Sequence, residues 1–250
     1  MAKVLEVCVD SLASARQAIR GGADRLELCT ALAVGGLTPY EALLRQLREE
    51  SDIPVRCLMR HRPGDFLYTP EELELLRRQI LTLREAGADG FVIGCLTPQG
   101  DLDMEAMKRL VEACGGKPVT LHRAIDVSRD LEKTYLDADI LGIDTVLTSG
   151  GSSGCVLGRK TIQKLLGLRD QTDGPEVLIG AGVNAKVITE FRQAMPQARA
   201  FHMSGKTEVE SGMLFRREGV PMGLPGLDEW HIQQTSFEAV KAARLAMDAE

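Results

Sequence analysis

Eight short apolar runs along the chain are each followed by a segment with helical periodicity. Strands that alternate with helices are typical of parallel β/α units, because each helix returns the chain to the end of the sheet where the strand began. Eight such units in 250 residues match the size and strand count of a (β/α)8 barrel of the TIM type. The sequence therefore predicts an α/β chain with this architecture. The predicted strands cover 4–9, 25–29, 54–60, 90–96, 118–123, 144–149, 177–180 and 200–204, and the predicted helices cover 11–20, 38–50, 69–86, 103–113, 130–137, 157–168, 184–195 and 235–249.

A doubly wound sheet is the alternative architecture. A dinucleotide-binding sheet of that kind carries Gly-x-Gly-x-x-Gly after its first strand. Here the first strand ends in Cys8-Val9-Asp10-Ser11, so we expect no nucleotide cofactor. The sequence contains no linker-like run of Pro, Gly and Ser, and we expect a single domain over 1–250.

The segment 205–233, between the eighth strand and the last helix, is not clearly helical. A connection of this length in a compact domain is commonly functional or packed against another surface. We expect either a lid over the barrel or a contact between subunits. Its larger apolar side chains are Met213, Phe215, Met222, Leu224, Leu227 and Trp230.

The composition argues against several classes of partner. The net charge is -6 and no run of Lys and Arg occurs, whereas nucleic-acid binding requires clustered basic residues. The six cysteines form no Cys-x-x-Cys pair, which disfavours a zinc finger. The sequence shows neither a signal-peptide pattern nor an apolar run of the ~20 residues that span a bilayer. We expect a cytoplasmic protein with reduced thiols and with no nucleic-acid or membrane partner.

Alternation along the strands predicts which side chains enter the barrel. Successive residues of a strand point to opposite faces, and the face that packs on the helices should be apolar. In the first strand, Leu5 and Val7 are apolar, which turns Glu6 and Cys8 toward the interior. The same argument on the other strands completes the predicted interior set, which is Glu6, Cys8, Glu27, Cys29, Arg60, His122, His202 and Ser204.

Charged side chains are unusual inside a barrel, whose interior is normally filled by Val, Ile and Leu. Burying them is costly unless they pair with each other or meet a ligand. An ion pair between Glu27 and Arg60 would be a purely structural explanation. The other explanation is a catalytic site, with Glu6 and Glu27 as candidate bases. His122 would then be a general acid or base and Arg60 an anion clamp.

Two glycine-containing loops favour an anionic ligand. Ser149 and Gly150 follow the sixth strand, and Gly182 lies between the seventh strand and its helix. Glycine allows close backbone approach and free N–H groups at a helix start attract anions, although such glycines are equally expected in tight turns. With Ser204 these residues form the candidate anion-binding set. The matching hypothesis is an isomerase- or lyase-type enzyme that transfers protons on a small anionic or phosphorylated metabolite, without an inward Lys for a Schiff base.

Several long motifs occur along the chain in a fixed order. They are Glu-Val-Cys at 6–8, Gly-Gly-Ala-Asp-Arg-Leu-Glu-Leu-Cys at 21–29, Gly-Gly-Leu-Thr-Pro at 35–39, Gly-Asp-Phe-Leu-Tyr at 64–68, His-Arg-Ala at 122–124, Val-Leu-Thr-Ser-Gly at 146–150, Gly-Ala-Gly-Val at 180–183, Ser-Gly-Met at 211–213 and Phe-Arg at 215–216. Together they resemble the CutC copper homeostasis proteins.

The resemblance implies a TIM-type barrel in the cytoplasm, homodimers or larger homo-oligomers, and a role in copper tolerance through Cu(I) binding. By position, Cys8 and Cys29 match the family's candidate copper cysteines. Cu(I) prefers soft thiolates, although two buried cysteines can also act simply as small hydrophobic residues. The chain departs from the family at 60–66, which reads Arg-His-Arg-Pro-Gly-Asp-Phe where the family usually has Arg-Pro-Arg-Gly-Gly-Asp-Phe, and at Leu121 and Ile125, where the family usually has Phe.

Overall fold

Eight parallel strands close into a barrel in the computed structural model of the chain, which describes residues 3–217, 219–220, 222–223 and 228–249. Each strand pairs with the next along the chain, and the eighth strand pairs with the first. The predicted TIM-type barrel is therefore confirmed. The strands are β1 Val4–Val9, β2 Arg25–Leu28, β3 Val55–Leu58, β4 Gly90–Ile93, β5 Val119–Leu121, β6 Thr145–Thr148, β7 Glu176–Ile179 and β8 Ala200–Met203.

Helices surround the barrel, and local sequence explains where they begin. The hydroxyl of Thr69 accepts the N–H of Glu72, whose carboxylate accepts the N–H of Thr69 in return, and Pro70 takes the first helical position. Ser11 and Asn184 each accept one N–H from the first turn of the following helix. The helices are α1 Leu12–Arg20, α2 Glu41–Glu50, α3 Pro70–Glu85, α4 Met104–Cys114, α5 Leu131–Ile140, α6 Arg159–Thr172, α7 Ala185–Ala194 and α8 Phe237–Asp248.

The main apolar core lies between the barrel and the helices. Leu5 and Val7 of β1 and Leu26 and Leu28 of β2 all belong to it, as alternation predicts. Residues on the opposite strand faces form two small apolar clusters inside the barrel. Their buried members are Cys29, Leu58 and Val92 in one, and Leu147, Leu178 and Ala200 in the other.

Most strands end sooner than the sequence predicts, and in two of them the early end places a site candidate on a turn. β5 stops at Leu121, because Nδ1 of His122 accepts the N–H of Ala124 and the chain turns into a 3-10 helix over Arg123–Val127. β3 likewise stops before Arg60, whose N–H donates to a threonine hydroxyl instead of a strand carbonyl. Both site candidates therefore lie on turns that follow strands, at the carboxyl end of the barrel.

The segment after β8 contains two strands that the sequence did not predict. β9 (Lys206–Glu210) and β10 (His231–Thr235) pair antiparallel and form a separate two-stranded sheet. The last helix begins later than predicted, because Thr235 is still paired in this sheet and Ser236 caps α8. We call the described residues from Lys206 to Thr235 the C-terminal hairpin.

The C-terminal hairpin exposes several large apolar side chains. Leu224 and Leu227, which the sequence analysis assigned to this segment, lie outside the described residues. None of the described helices is long and apolar enough to cross a membrane. The exposed apolar residues of the hairpin are Val209, Met213, Leu214, Phe215, Val220, Met222 and Ile232.

Candidate functional site

A cavity of about 440 Å³ opens at the carboxyl ends of the barrel strands. Its volume lies in the range of sites that bind small molecules. Six of the eight residues predicted to face the interior line it, as does one glycine of the predicted anion set. These residues are Cys8, Glu27, Arg60, His122, His202, Ser204 and Gly182.

Three side chains on one side of the cavity converge on a point. The Cys8 thiol, a Glu27 carboxylate oxygen and a His202 ring nitrogen all lie within 4.8 Å of one another. Strand register explains this proximity, because Cys8 pairs with Glu27 across β1 and β2, while β8 pairs with the other edge of β1 and supplies His202. We call these residues the Cys8–Glu27–His202 cluster. A thiol, an imidazole and a carboxylate are the side chains that bind transition metals.

Glu6 lies beneath the cluster and does not line the cavity. Its carboxylate is fully buried, accepts the Nε–H of Arg25 at 2.5 Å, and lies 2.8 Å from Nδ1 of His202. Burial alone would raise the pKa of Glu6, but Arg25 and His202 lower it to about 2. Glu6 was a candidate base, yet in this position it cannot touch a ligand in the cavity. It acts instead by holding His202 through Nδ1, which leaves Nε2 directed at Glu27, 3.9 Å away.

The charge state of the cluster follows from its burial. Burial is the largest influence on the pKa of Glu27 and raises it. His202 lowers this pKa and Glu6 raises it further, and the resulting pKa is about 7. Burial alone would lower the pKa of His202, but the neighbouring Cys8, Glu27 and Glu6 hold it well above its usual value. A metal ion at this point would therefore have to displace protons.

Cys29 is not part of the Cys8–Glu27–His202 cluster. Its thiol donates to the backbone carbonyl of Val9 at 3.4 Å and packs in the small apolar cluster with Leu58 and Val92. Burial, followed by the nearby Cys8, raises its pKa well above that of an ordinary thiol. The structure thus brings Glu27 and His202 to Cys8, where the sequence analysis expected Cys29.

Arg60 and His122, which follow β3 and β5, form another part of the cavity lining, which we call the Arg60–His122 wall. Nη1 of Arg60 donates to the carbonyls of Val34 and Gly36, and Nη2 donates to that of Gly64. Glu27 is not an ion-pair partner of Arg60 among the described residues, so the predicted structural pair is not formed. These three carbonyls fix the guanidinium from two different loops.

His122 is buried with one ring nitrogen satisfied and one free. Nδ1 accepts the N–H of Ala124 at 3.2 Å, so the ring proton belongs on Nε2, which has no partner among the described residues. Burial, with Arg60 adding to it, lowers the pKa of His122 to about 3, so the ring is neutral at pH 7. A Cβ atom at Gly94 would lie 2.4 Å from Cε1 of His122, and the ring thus occupies room that glycine leaves.

The predicted anion set is divided by the structure. Gly182 and Ser204 line the cavity, but Ser149 and Gly150 do not. The Asp126 carboxylate accepts the N–H and the hydroxyl of Ser149, and the N–H of Gly150 donates to the neighbouring threonine hydroxyl. The Asp126 carboxylate therefore occupies the position after β6 where the sequence predicted a bound anion.

His202 and Arg123 both line the cavity, although neither was given a catalytic, anion-binding or metal-binding role from the sequence. Alternation pointed His202 inward, but its partnership with Cys8 depends on the closing pair of β1 and β8, which the sequence does not reveal. Strict alternation along the fifth strand would turn Arg123 toward the helices, and the alternative was that it braces the barrel mouth through Asp126 or a neighbouring loop. It lines the cavity, because the 3-10 turn after His122 redirects it, and it pairs with Asp126 at 2.7 Å.

Comparison with known proteins places the chain in a family. The model of the CutC family matches residues 3–207. The chain belongs to the CutC family. The resemblance seen in the sequence motifs is thereby confirmed.

Relatives from distant organisms share most of the chain. A family protein CutC of Chromobacterium violaceum is 38% identical over 249 residues, which cover 99% of each chain. The copper homeostasis protein cutC homolog of Homo sapiens is 39% identical over 240 residues, covering 95% of this chain and 86% of that protein. The crystal structure of CutC from Streptococcus agalactiae matches with a TM-score of 0.75 and 29% identity, over 81% of this chain and 98% of that one.

Replacing Glu6 by Gln tests whether the buried carboxylate supports the fold. The change leaves the partly buried Arg25 without its counter-charge, and we expect a loss of about 3 kcal/mol in the free energy of unfolding. Urea unfolding monitored by circular dichroism measures it. Glu41→Gln is the control, since Glu41 makes only an exposed pair with Arg45 and should cost less than about 0.5 kcal/mol. Equal losses in the two variants would contradict the account.

Replacing His122 by Asn tests the burial of a neutral ring. Asn can still accept the N–H of Ala124 but does not titrate. The unfolded chain takes up a proton at His122 below about pH 6.5 and the folded chain only near pH 3, so wild-type stability falls as pH falls through this window. The stability of the wild type relative to the variant should fall by up to about 1.4 kcal/mol per pH unit. A difference that does not change between pH 7 and pH 4 would show that the ring titrates normally.

Proposed function

We propose that the Cys8–Glu27–His202 cluster binds one Cu(I) ion and that the protein handles copper in the cytoplasm. The observation that carries the proposal is the convergence of a thiol, an imidazole and a carboxylate within 4.8 Å at the edge of a cavity. Cu(I) favours thiolate ligands and accepts imidazole. The human relative is described as a copper homeostasis protein. All six cysteines are free, as is typical of proteins from a reducing compartment.

The two strong ligands would be Cys8 and His202. Cys8 supplies the soft thiolate, and Nε2 of His202 is the ring nitrogen that Glu6 leaves available. Glu27 is a harder ligand, so its part is to take up the protons that Cys8 and His202 release or to complete the coordination. Cys29 is not proposed as a ligand, because its thiol does not belong to the group of ligand atoms that lie within 4.8 Å of one another.

Competition between the protein and a Cu(I) chelator, measured without oxygen, tests the cluster. We expect one Cu(I) per wild-type chain. Loss of a residue that only hydrogen-bonds to a metal ligand weakens metal binding by roughly 10–100-fold. Cys8→Ser removes a ligand itself, so we expect it to weaken Cu(I) binding by more than this. Cys29→Ser is the matched control and should bind as the wild type does. Unchanged Cu(I) affinity of the Cys8→Ser variant would contradict the proposal. Equal losses in both variants would indicate instead that Cys8 and Cys29 bind the ion together.

A second candidate function is proton transfer on a small metabolite, in an isomerase- or lyase-type reaction. The observation that favours it is the volume of about 440 Å³, far more than one ion fills. Glu27 would be the base and His122 or Arg60 would face the developing charge. A thermal-shift screen of metabolites tests this idea. The idea is supported by a compound that raises the Tm of the wild type and that the wild type converts to a product. The Glu27→Gln variant should not convert that compound.

We also propose that the C-terminal hairpin joins two copies of the chain in a homodimer or larger homo-oligomer. Its seven exposed apolar side chains are more than a short solvent-facing hairpin needs. Leu214 and Phe215 are the most suitable to test, since their side chains are among the most exposed of them.

Light scattering after size-exclusion chromatography measures this assembly. We expect the wild type at a multiple of 27.2 kDa and Phe215→Asp closer to one chain mass. Leu245→Asp on α8 is the control, because Leu245 is similarly exposed but lies on a different element. If Leu245→Asp dissociates the protein and Phe215→Asp does not, the hairpin is not the interface.

A further inference from the structure

Arg60 differs from the other buried arginines of the described chain. Arg56 pairs with Asp144 at 2.6 Å, and Arg169 pairs with two carboxylates at 2.7 Å. Arg60 is also buried but makes no ion pair among the described residues; its hydrogen-bond partners there are backbone carbonyls. A buried guanidinium without a counter-charge is costly, so a negative charge is missing from its surroundings.

The unused donors of Arg60 indicate the shape of the missing partner. A guanidinium has five N–H bonds, and three of those on Arg60 are taken by Val34, Gly36 and Gly64. Nε is buried without a partner, and one N–H remains on Nη2. Nε and Nη2 lie along one edge of the guanidinium, and two donors on such an edge match the two oxygens of a carboxylate.

His122 adds another unused donor to the same wall. Its Nε2–H is buried and unpartnered, and its ring lies with its centroid 4.6 Å from that of Phe66. The guanidinium of Arg60 covers the same Phe66 ring at 5.4 Å. Phe66 therefore links the two donors and limits access of water to them. Lys206, exposed at the rim, adds positive charge to the cavity lining.

We propose that the Arg60–His122 wall binds the carboxylate of a small organic acid. Such a ligand would supply the charge that Arg60 lacks and accept the free N–H groups of Arg60 and His122. The loop after β6 offers no cradle of backbone N–H groups for a phosphate group, because those of Ser149 and Gly151 already donate to Asp126. The proposal does not depend on metal binding, since neither residue belongs to the Cys8–Glu27–His202 cluster.

Isothermal titration calorimetry with pyruvate, oxalate and inorganic phosphate tests the proposal. The wild type should bind at least one of the two carboxylates, and more tightly than phosphate. Arg60→Gln and His122→Asn should each weaken that binding by about tenfold or more. His122→Asn keeps the acceptor for Ala124 and so remains informative if Arg60→Gln, which loses three loop contacts, fails to fold.

Arg123→Gln is the matched control for charge alone. Arg123 also lines the cavity, but it already pairs with Asp126, so its loss should change carboxylate affinity less than threefold or so. The proposal is overturned if neither carboxylate binds, if phosphate binds more tightly than both, or if Arg123→Gln weakens binding as much as Arg60→Gln and His122→Asn do. Cu(I) affinity measured on the His122→Asn variant should equal that of the wild type, which separates this proposal from that of the metal site.

Discussion

The buried carboxylate of Glu6 is the interaction around which this site is built. It lies where the barrel closes, between the strand that carries Arg25 and the strand that carries His202. A lone carboxylate at full burial would be too costly to keep charged, and the two partners on either side make the charge tolerable. The same bonds fix the His202 ring, so the stability of the barrel and the geometry of the cluster depend on one ionised group.

The cavity has two chemically different sides. The Cys8–Glu27–His202 cluster brings together a thiol, a carboxylate and an imidazole, which can bind a metal ion. The Arg60–His122 wall has N–H donors that have no hydrogen-bond acceptor among the described residues. A single occupant could touch both, since one cavity joins them. Glu27 and Arg60 form no ion pair among the described residues, and each has partners of its own: His202 for Glu27 and the carbonyl of Val34 for Arg60.

The sequence predicts directions better than it predicts partners. Period-two alternation correctly turned Cys8, Glu27 and His202 inward, because a helix-packed outer face must be apolar. It could not show that Cys29 would donate its thiol to Val9, since that depends on where β2 ends. Nor could it show that Asp126 would occupy the amides after β6, because a 3-10 turn places that carboxylate. The strands of the C-terminal hairpin were missed for a similar reason, as their pairing joins residues that lie far apart in the sequence.

X-ray absorption spectroscopy of the protein loaded with one equivalent of Cu(I) tests the central claim most directly. The number and type of atoms bound to copper report which side chains hold it, without relying on substitutions. The Cys8–Glu27–His202 cluster predicts one sulfur ligand together with nitrogen or oxygen from His202 and Glu27. Two sulfur ligands would place the ion between Cys8 and Cys29, and a shell without sulfur would place it elsewhere; either result would contradict the account.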